Sequence, residues 1–247
     1  MHNALQRYGV RLLVWAVLSA LGCLLLARWE LAQLRDAFET DARISHRLLS
    51  QRAVQHDAVL ATLALLQPNA PSASPDSAEQ RLSSVYPQIL GVQRRDPGGS
   101  WSGAGLEAAE QASRQARGAV LANLDFNAER PRYQLVLAGQ PASFALLIDV
   151  QASVPWADWS MPVQTSPVRV TLEHAGQAFV VQPGHMDEAG WRFEFHKHLA
   201  SSSQPFDVVA IRQVLWVELP WALMVLWVAA VAAARLGAKT ALCTMNV

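Results

Sequence analysis

The stretch "LLVWAVLSALGCLLLA", from Leu12 to Ala27, has 16 residues and no charged side chain. A helix needs about 20 mostly apolar residues to cross the hydrocarbon core of a bilayer. The stretch reaches this length if it is extended back to Tyr8 and if Arg11 places its guanidinium among the headgroups. A cleaved signal peptide has small residues before its cleavage site, whereas here leucines precede Ala27 and Arg28 follows it. The sequence therefore predicts an uncleaved membrane span over 12–29.

A second uncharged run, from Leu219 to Ala234, lies near the other end of the chain. It predicts a second span over 214–235, with Glu218 in the outer interface. Basic residues flank the two spans on their terminal sides, namely Arg7, Arg11, Arg235 and Lys239. By the positive-inside rule, both termini are then cytoplasmic and the middle of the chain is external. The predicted organisation is a cytoplasmic tail (1–11), a span (12–29), an external domain (30–213), a second span (214–235) and a short cytoplasmic tail (236–247).

The composition argues against nucleic-acid binding and against a disulfide framework. The formal net charge is zero and the chain has no long block of basic residues, so it lacks the electrostatic feature that nucleic acid requires. Its two cysteines, Cys23 and Cys243, lie in the first apolar run and in the terminal tail. We therefore expect no structural disulfide in the external domain.

A long helix is predicted directly after the first span. From Glu30 to Gln67 the sequence contains neither Pro nor Gly, and apolar residues recur at helical spacing. Pro68 is expected to end the helix. Leu31, Leu34 and Phe38 form an apolar stripe on it, which predicts a homodimer through this helix.

The rest of the external domain is predicted to consist mainly of strands. The Pro- and Ser-rich stretch 68–80 is a predicted loop, and the Ala-rich stretch 106–118 is a predicted helix. The segments with strand composition are "YPQILGVQRRD" (86–96), "RYQLVLAG" (132–139), "SFALLIDV" (143–150), the hairpin "VRVTLEHAGQAFVVQPG" (168–184), "WRFEFHKHL" (191–199) and "FDVVAIRQV" (206–214). Asp149 is placed to cap a short helix after its strand. This order predicts an α+β domain in which helices pack against one antiparallel sheet.

No catalytic or cofactor-binding motif appears in the chain. Walker, G-x-S-x-G, H-E-x-x-H and dinucleotide-binding patterns are all absent from the sequence. His196 and His198 are two residues apart on a predicted strand, so they share a face and resemble a pair of metal ligands. No third ligand stands at a recognisable spacing from them. The sequence therefore predicts neither a metal site nor a cofactor.

The segments "LRDAFETDARISHRLLSQRAVQHDAVLATLALL", "YPQILGVQRRD" and "SFALLIDVQASVPW", following a basic tail and one span, resemble the extracytoplasmic input half of bacterial sensor histidine kinases. Within that group the chain is similar to CHASE or PAS-like (Cache) sensors. The resemblance implies a two-pass protein of the bacterial inner membrane that detects a ligand outside and transmits through the second span. It also implies a small-molecule pocket on the sheet, for which Tyr86, Arg94, Tyr133 and Asp149 are the candidate residues. Arg94 would bind an anionic group of the ligand.

The stretch "RLGAKTALCTMNV", from Arg235 to Val247, departs from that family. It has neither the charged heptads of a linker nor a phosphoacceptor or ATP-binding domain. We therefore expect a sensor module without catalysis of its own, either a truncated kinase or a short sensor that acts through a partner kinase. The alternative from another class is a structural or assembly protein of the cell envelope.

Overall fold

The computed structural model describes residues 2–65, 82–186 and 189–244 of the chain. The predicted loop 68–80, and Pro68 at its start, lie outside the described residues. The described residues divide into two compact units. We call residues 2–38, 189–191 and 214–244 the helical unit, and residues 39–65, 82–186 and 192–213 the sheet unit.

The first element, α1, is a single helix of 64 residues, His2–Leu65, so the predicted long helix is confirmed. Ala, Leu, Gln and Arg, which favour helix, dominate its second half. Most of its buried residues between 38 and 60 follow one another every three or four positions, as on one face of a helix: Phe38, Ala42, Ser45, Leu49, Ala53, His56 and Leu60. Phe38 is thus covered by its own chain, while Leu31 and Leu34 are half-buried. The homodimer therefore stays a prediction that rests on the latter two residues.

The first sheet, sheet A, has four antiparallel strands in the order β1-β4-β3-β2. Its elements in chain order are β1 (Ile89–Arg95), α2 (Leu106–Ala116), β2 (Val120–Asp125), β3 (Arg132–Leu137) and β4 (Ser143–Asp149). The sequence prediction gave all of these except β2. That strand, "VLANLD", contains Asn and Asp, which are rare in strands, so its composition concealed it.

Helix α2 packs on one face of sheet A through Leu106 and Ala109, which contact Val136 and Ala145. A buried carboxylate, Glu110, joins the helix to the sheet and to the loop before it. It accepts hydrogen bonds from Ser143 Oγ (2.6 Å), Arg114 Nη2 (2.6 Å), Trp101 Nε1 (2.9 Å) and Arg95 Nη1. Burial by itself raises the pKa of Glu110, but these four donors outweigh it and lower the pKa to about 2.

The second sheet, sheet B, has the strand order β6-β5-β8-β7. Its strands are β5 (Val168–His174), β6 (Gln177–Gln182), β7 (Trp191–His198) and β8 (Asp207–Val214). The predicted hairpin is confirmed, and its turn residues Ala175 and Gly176 have φ values of 49° and 81°, as in a type I′ turn. The prediction of one sheet is wrong. Both edges of β4 are already paired, with β1 and β3, so β5 has no free edge there and begins a new sheet.

The last helix, α3, is Trp221–Thr244, preceded by a 3₁₀ turn over Trp216–Glu218. A transmembrane helix beginning at 214 is therefore wrong at its start, because Val214 still belongs to β8. Pro220 directly precedes the helix, and its carbonyl accepts the first helical hydrogen bond, from Met224 N (3.0 Å).

Within the described residues, one helix is long and apolar enough to cross a membrane, and it is α1 from Leu12 onward. Its most apolar window has a mean hydropathy of 2.0 and is 6% buried. The apolar part of α3 over the same described residues, Trp221–Arg235, is shorter. By length and composition, the apolar N-terminal part of α1 therefore fits a membrane span and equally a signal sequence.

Candidate functional site

The two apolar helices of the helical unit pack against each other at Gly22. A Cβ atom at Gly22 would lie 1.9 Å from Trp227 Nε1, so only glycine leaves room for that indole. Trp227 Nε1 donates to Leu18 O (3.4 Å), and Cys23 Sγ lies 3.9 Å from Met224 O. Residue numbers rise along α1 as they fall along α3, so the pair is antiparallel. Large apolar side chains on both helices are exposed, among them Val17, Leu21, Leu24, Val225, Leu226 and Val228.

The four candidate residues from the sequence do not converge on one pocket. Arg94 lies opposite Phe144, near the start of β4, whereas Asp149 ends that strand. Five residues of extended strand separate these two positions, or about 16 Å. Arg94 pairs instead with Asp96 (Nη2 to Oδ1, 2.8 Å). Tyr86 lies just before β1 at the Asp149 end of the sheet and is half-buried.

Asp149 stabilises the turn that follows β4. Its Oδ1 accepts the N–H of Ala152 (2.9 Å), its main-chain oxygen accepts Ser153 Oγ (2.6 Å), and Arg130 Nε lies 3.3 Å from Oδ2. The carboxylate is buried and caps this turn, whereas the sequence predicted that it caps a short helix. The short helix of this segment is the 3₁₀ turn Trp156–Asp158, and its N-cap is Pro155.

Tyr133 is buried and forms a polar cluster with a residue of α1 and a residue of the β7–β8 loop. Gln204 Nε2 donates to Ala53 O (2.8 Å), so its Oε1 faces Tyr133 and accepts the phenolic O–H (2.7 Å). The phenolic oxygen then accepts from His56 Nδ1 (3.0 Å), which assigns the proton of the neutral imidazole to Nδ1. His56 Nε2 is buried without a hydrogen-bond partner among the described atoms.

Burial determines the protonation of this cluster. It lowers the pKa of His56 to about 4, and it raises the pKa of Tyr133 well above its ordinary value. Both side chains are therefore neutral near pH 7. We refer to His56, Tyr133 and Gln204 as the α1 polar cluster.

The β7–β8 loop is held on α1 beside this cluster. Asp57 accepts hydrogen bonds from Ser201 Oγ (2.6 Å) and from Ser203 Oγ. About two to three turns nearer the N-terminus of the helix, Ser50 Oγ accepts the N–H of Ala200 (3.2 Å), and His46 Nε2 donates to His198 O (2.7 Å). Several successive turns of α1 therefore bind the end of β7 and the loop that follows it, while Tyr133 links the same helix to sheet A.

An open polar cavity of about 330 Å³ lies on the α2 side of sheet A. It is lined by Asn123, Leu124, Asp125, Arg132, Tyr133, Gln134 and Leu147. Asn123 Nδ2 donates to Gln134 Oε1 (2.6 Å) and to Ala104 O (3.0 Å) at the start of α2. The guanidinium of Arg132 has no hydrogen bond or ion pair with the described residues, so it is available to a ligand.

The two histidines of β7 have a carboxylate partner that the sequence did not identify. Asp207 Oδ1 lies 3.3 Å from His196 Nε2 and contacts His198 Nδ1. Within the described ranges, no group of three or more His, Cys, Asp or Glu side chains is arranged to hold a metal ion. The contacts that the structure shows for the two histidines are therefore those with the carboxylate of Asp207.

Sequence reasoning missed His56, Gln204 and Arg132. The signal for His56 was a polar residue on the apolar stripe of α1, between Ala53 and Leu60. No local sequence pattern distinguishes Gln204 or Arg132.

The chain matches no family model and no curated protein.

Proposed function

We propose that the chain is a membrane-anchored sensing module that binds a ligand on sheet A and transmits its binding through α1. The observation that carries the proposal is the alternation of β3. Arg132 and Gln134 line the cavity of sheet A, and Tyr133 between them points to the opposite face, where it bonds to His56. A ligand that moves β3 therefore acts on α1 through one residue.

Transmission requires two arrangements of similar free energy between which the ligand discriminates. The α1 polar cluster supplies such an element, because its three hydrogen bonds join α1, sheet A and the β7–β8 loop. The buried Nε2 of His56, which has no partner among the described atoms, leaves a second arrangement of the cluster open. Helix α1 continues from this cluster into the apolar stretch without a break.

The packing at Gly22 supports a two-pass anchor. Helix α3 has 24 residues, which correspond to about 36 Å, enough to cross the hydrocarbon core. Trp29, Trp216 and Trp221 are all more than half exposed, and the antiparallel pairing brings them to one end of the helix pair, as in an aromatic belt. With basic residues at the other end, the proposed topology has both termini in the cytoplasm and the sheet unit outside.

In this proposal the module has no catalysis of its own, and its output partner is the transmitter of a histidine kinase. The proposed cellular location of the module is the bacterial inner membrane, as the resemblance implies. A homodimer through α1 would place two modules in register with a dimeric transmitter.

The test is a fusion of residues 1–235 to the transmitter of a characterised histidine kinase, with output read from a promoter that its response regulator controls. We expect Tyr133→Phe and His56→Ala to change the basal output severalfold, because each removes a hydrogen bond from the α1 polar cluster. Thr62→Ala, an exposed position on the same helix, is the matched control and should leave the output unchanged. If all three fusions accumulate equally in the membrane and give the same output, the coupling proposal fails and a structural role in the envelope is favoured.

A further inference from the structure

A second and larger cavity, about 540 Å³, lies between α1 and β7 within the sheet unit. Its volume is in the range of small-molecule sites. Three cationic side chains line it, Arg43 and Arg47 from α1 and Lys197 from β7, and its apolar wall contains Val54 and Phe195. It shares no residue with the cavity of sheet A.

The local geometry explains why charge and apolar surface meet here. Arg43 and Arg47 are one helical turn apart and therefore project from the same side of α1. On β7, Phe195 and Lys197 alternate with His196 and His198, whose rings face Asp207 on the other side of the sheet. Phe195 contacts the ring of His46 edge-on, with centroids 6.2 Å apart, which holds the aromatic ring against the helix.

The charges in this cavity are incompletely neutralised. Arg43 pairs with Glu39 (2.6 Å), but Arg47 and Lys197 have no ion pair or side-chain hydrogen bond with the described residues. No Asp or Glu is among the described residues that line the cavity. Two arginines four positions apart on a helix repel each other, so an anion between them and Lys197 would stabilise the folded chain.

We propose that this cavity binds a small organic anion that has an apolar ring or chain. Its acidic group lies between Arg47 and Lys197, where it accepts charge-assisted hydrogen bonds, and its apolar part lies on Phe195 and Val54. The charge alone is insufficient for binding in this proposal, because exposed cations in water attract a bare ion only weakly.

The experiment uses the full chain in nanodiscs of phosphatidylcholine and measures affinity by isothermal titration calorimetry, with empty nanodiscs subtracted. Phenyl phosphate supplies both features, inorganic phosphate supplies the charge alone and phenol supplies the ring alone. We expect phenyl phosphate to bind at least about tenfold more tightly than either of the other two. Absence of saturable binding of phenyl phosphate in the millimolar range overturns the proposal, and so does an equal affinity for inorganic phosphate.

Variants then locate the site. Arg47→Gln and Lys197→Gln should each weaken the binding of phenyl phosphate by about tenfold or more, as expected for the loss of a charged hydrogen bond. Val54→Ser, at a half-exposed position, should weaken phenyl phosphate and leave inorganic phosphate unchanged. Arg192→Gln removes a β7 cation that pairs with Glu194 outside this cavity, and it should have no effect. Unchanged affinity in Arg47→Gln and Lys197→Gln refutes the site, as does loss of binding in Arg132→Ala, which would place the probe on sheet A.

Discussion

Replacing Glu110 with glutamine should destabilise the sheet unit by about 3 kcal/mol at neutral pH. Glutamine keeps the size of the side chain and removes its charge, while Arg95, Trp101, Arg114 and Ser143 remain as donors around it. The magnitude follows from the pKa of Glu110, which folding lowers from 4.5 to about 2. A tenfold change in proton affinity corresponds to about 1.4 kcal/mol, so the ionised carboxylate stabilises the folded state by about 3 kcal/mol.

The sign of the pH dependence follows from the same shift. A carboxylate whose pKa is lowered by folding contributes its full stabilisation above the unfolded pKa of 4.5, and this contribution is lost as the pH falls towards about 2. Glutamine does not titrate. The difference in the free energy of unfolding between the wild type and Glu110→Gln should therefore be largest above pH 4.5 and should shrink towards about pH 2.

The assay is equilibrium urea unfolding of the full chain in a non-ionic detergent, followed by near-ultraviolet circular dichroism across this pH range. Glu107→Gln is the matched control, because Glu107 lies in the first turn of the same helix and is exposed. Its loss should cost less than about 1 kcal/mol, the usual effect of a charge at a helix terminus. A difference for Glu110→Gln that stays constant from neutral pH to about pH 2 would refute the reasoning, since it would show that shape and not charge supplies the energy.

Three further predictions concern the helix pair, the α1 polar cluster and the topology. Gly22→Leu should separate α1 from α3, because its side chain overlaps the Trp227 indole, and crosslinking between cysteines placed on the two helices should then fall. Because folding lowers the pKa of His56 from 6.5 to about 4, the wild type should lose about 3 kcal/mol of stability as the pH falls through this interval. His56→Gln should lack this component in the same urea assay, and parallel pH curves for both proteins would contradict the assignment. A reporter active only in the cytoplasm should work after Val247 and fail when inserted at Ser74; activity at Ser74 would reverse the proposed topology.

The local patterns in the sequence were sufficient to predict most of the elements. An uninterrupted run without Pro or Gly gave α1, and the Ala-Gly pair between two strand-like segments gave the β5–β6 hairpin. These features depend on residues within a few positions of each other, which is why periodicity and turn composition reveal them. The absence of such a pattern concealed β2, where pairing with β3 stabilises a strand of unfavourable composition.

The site depended on contacts that no local pattern contains. Tyr133 meets Gln204 and His56 across 71 and 77 positions of the chain. The candidate residues were chosen by their place in the sequence, yet Tyr133 and Arg94 belong to different regions of one sheet because the register of β4 separates them. Division into two sheets likewise depends on which strands occupy the edges of β4, and this is decided only when the chain is folded.

The continuity of α1 has a consequence for how the chain can vary. From residue 28 to residue 45 the helix has no Pro or Gly, and its buried side chains from Phe38 onward must keep one orientation. Deleting a single residue before Phe38 would rotate everything upstream by about 100° and shift it by about 1.5 Å relative to that face. Seven residues make nearly two full turns, with an offset of only about 20°. A length change in this part of the helix therefore preserves the direction of the upstream side chains only when it makes a nearly whole number of turns, as about 7, 11 or 18 residues do.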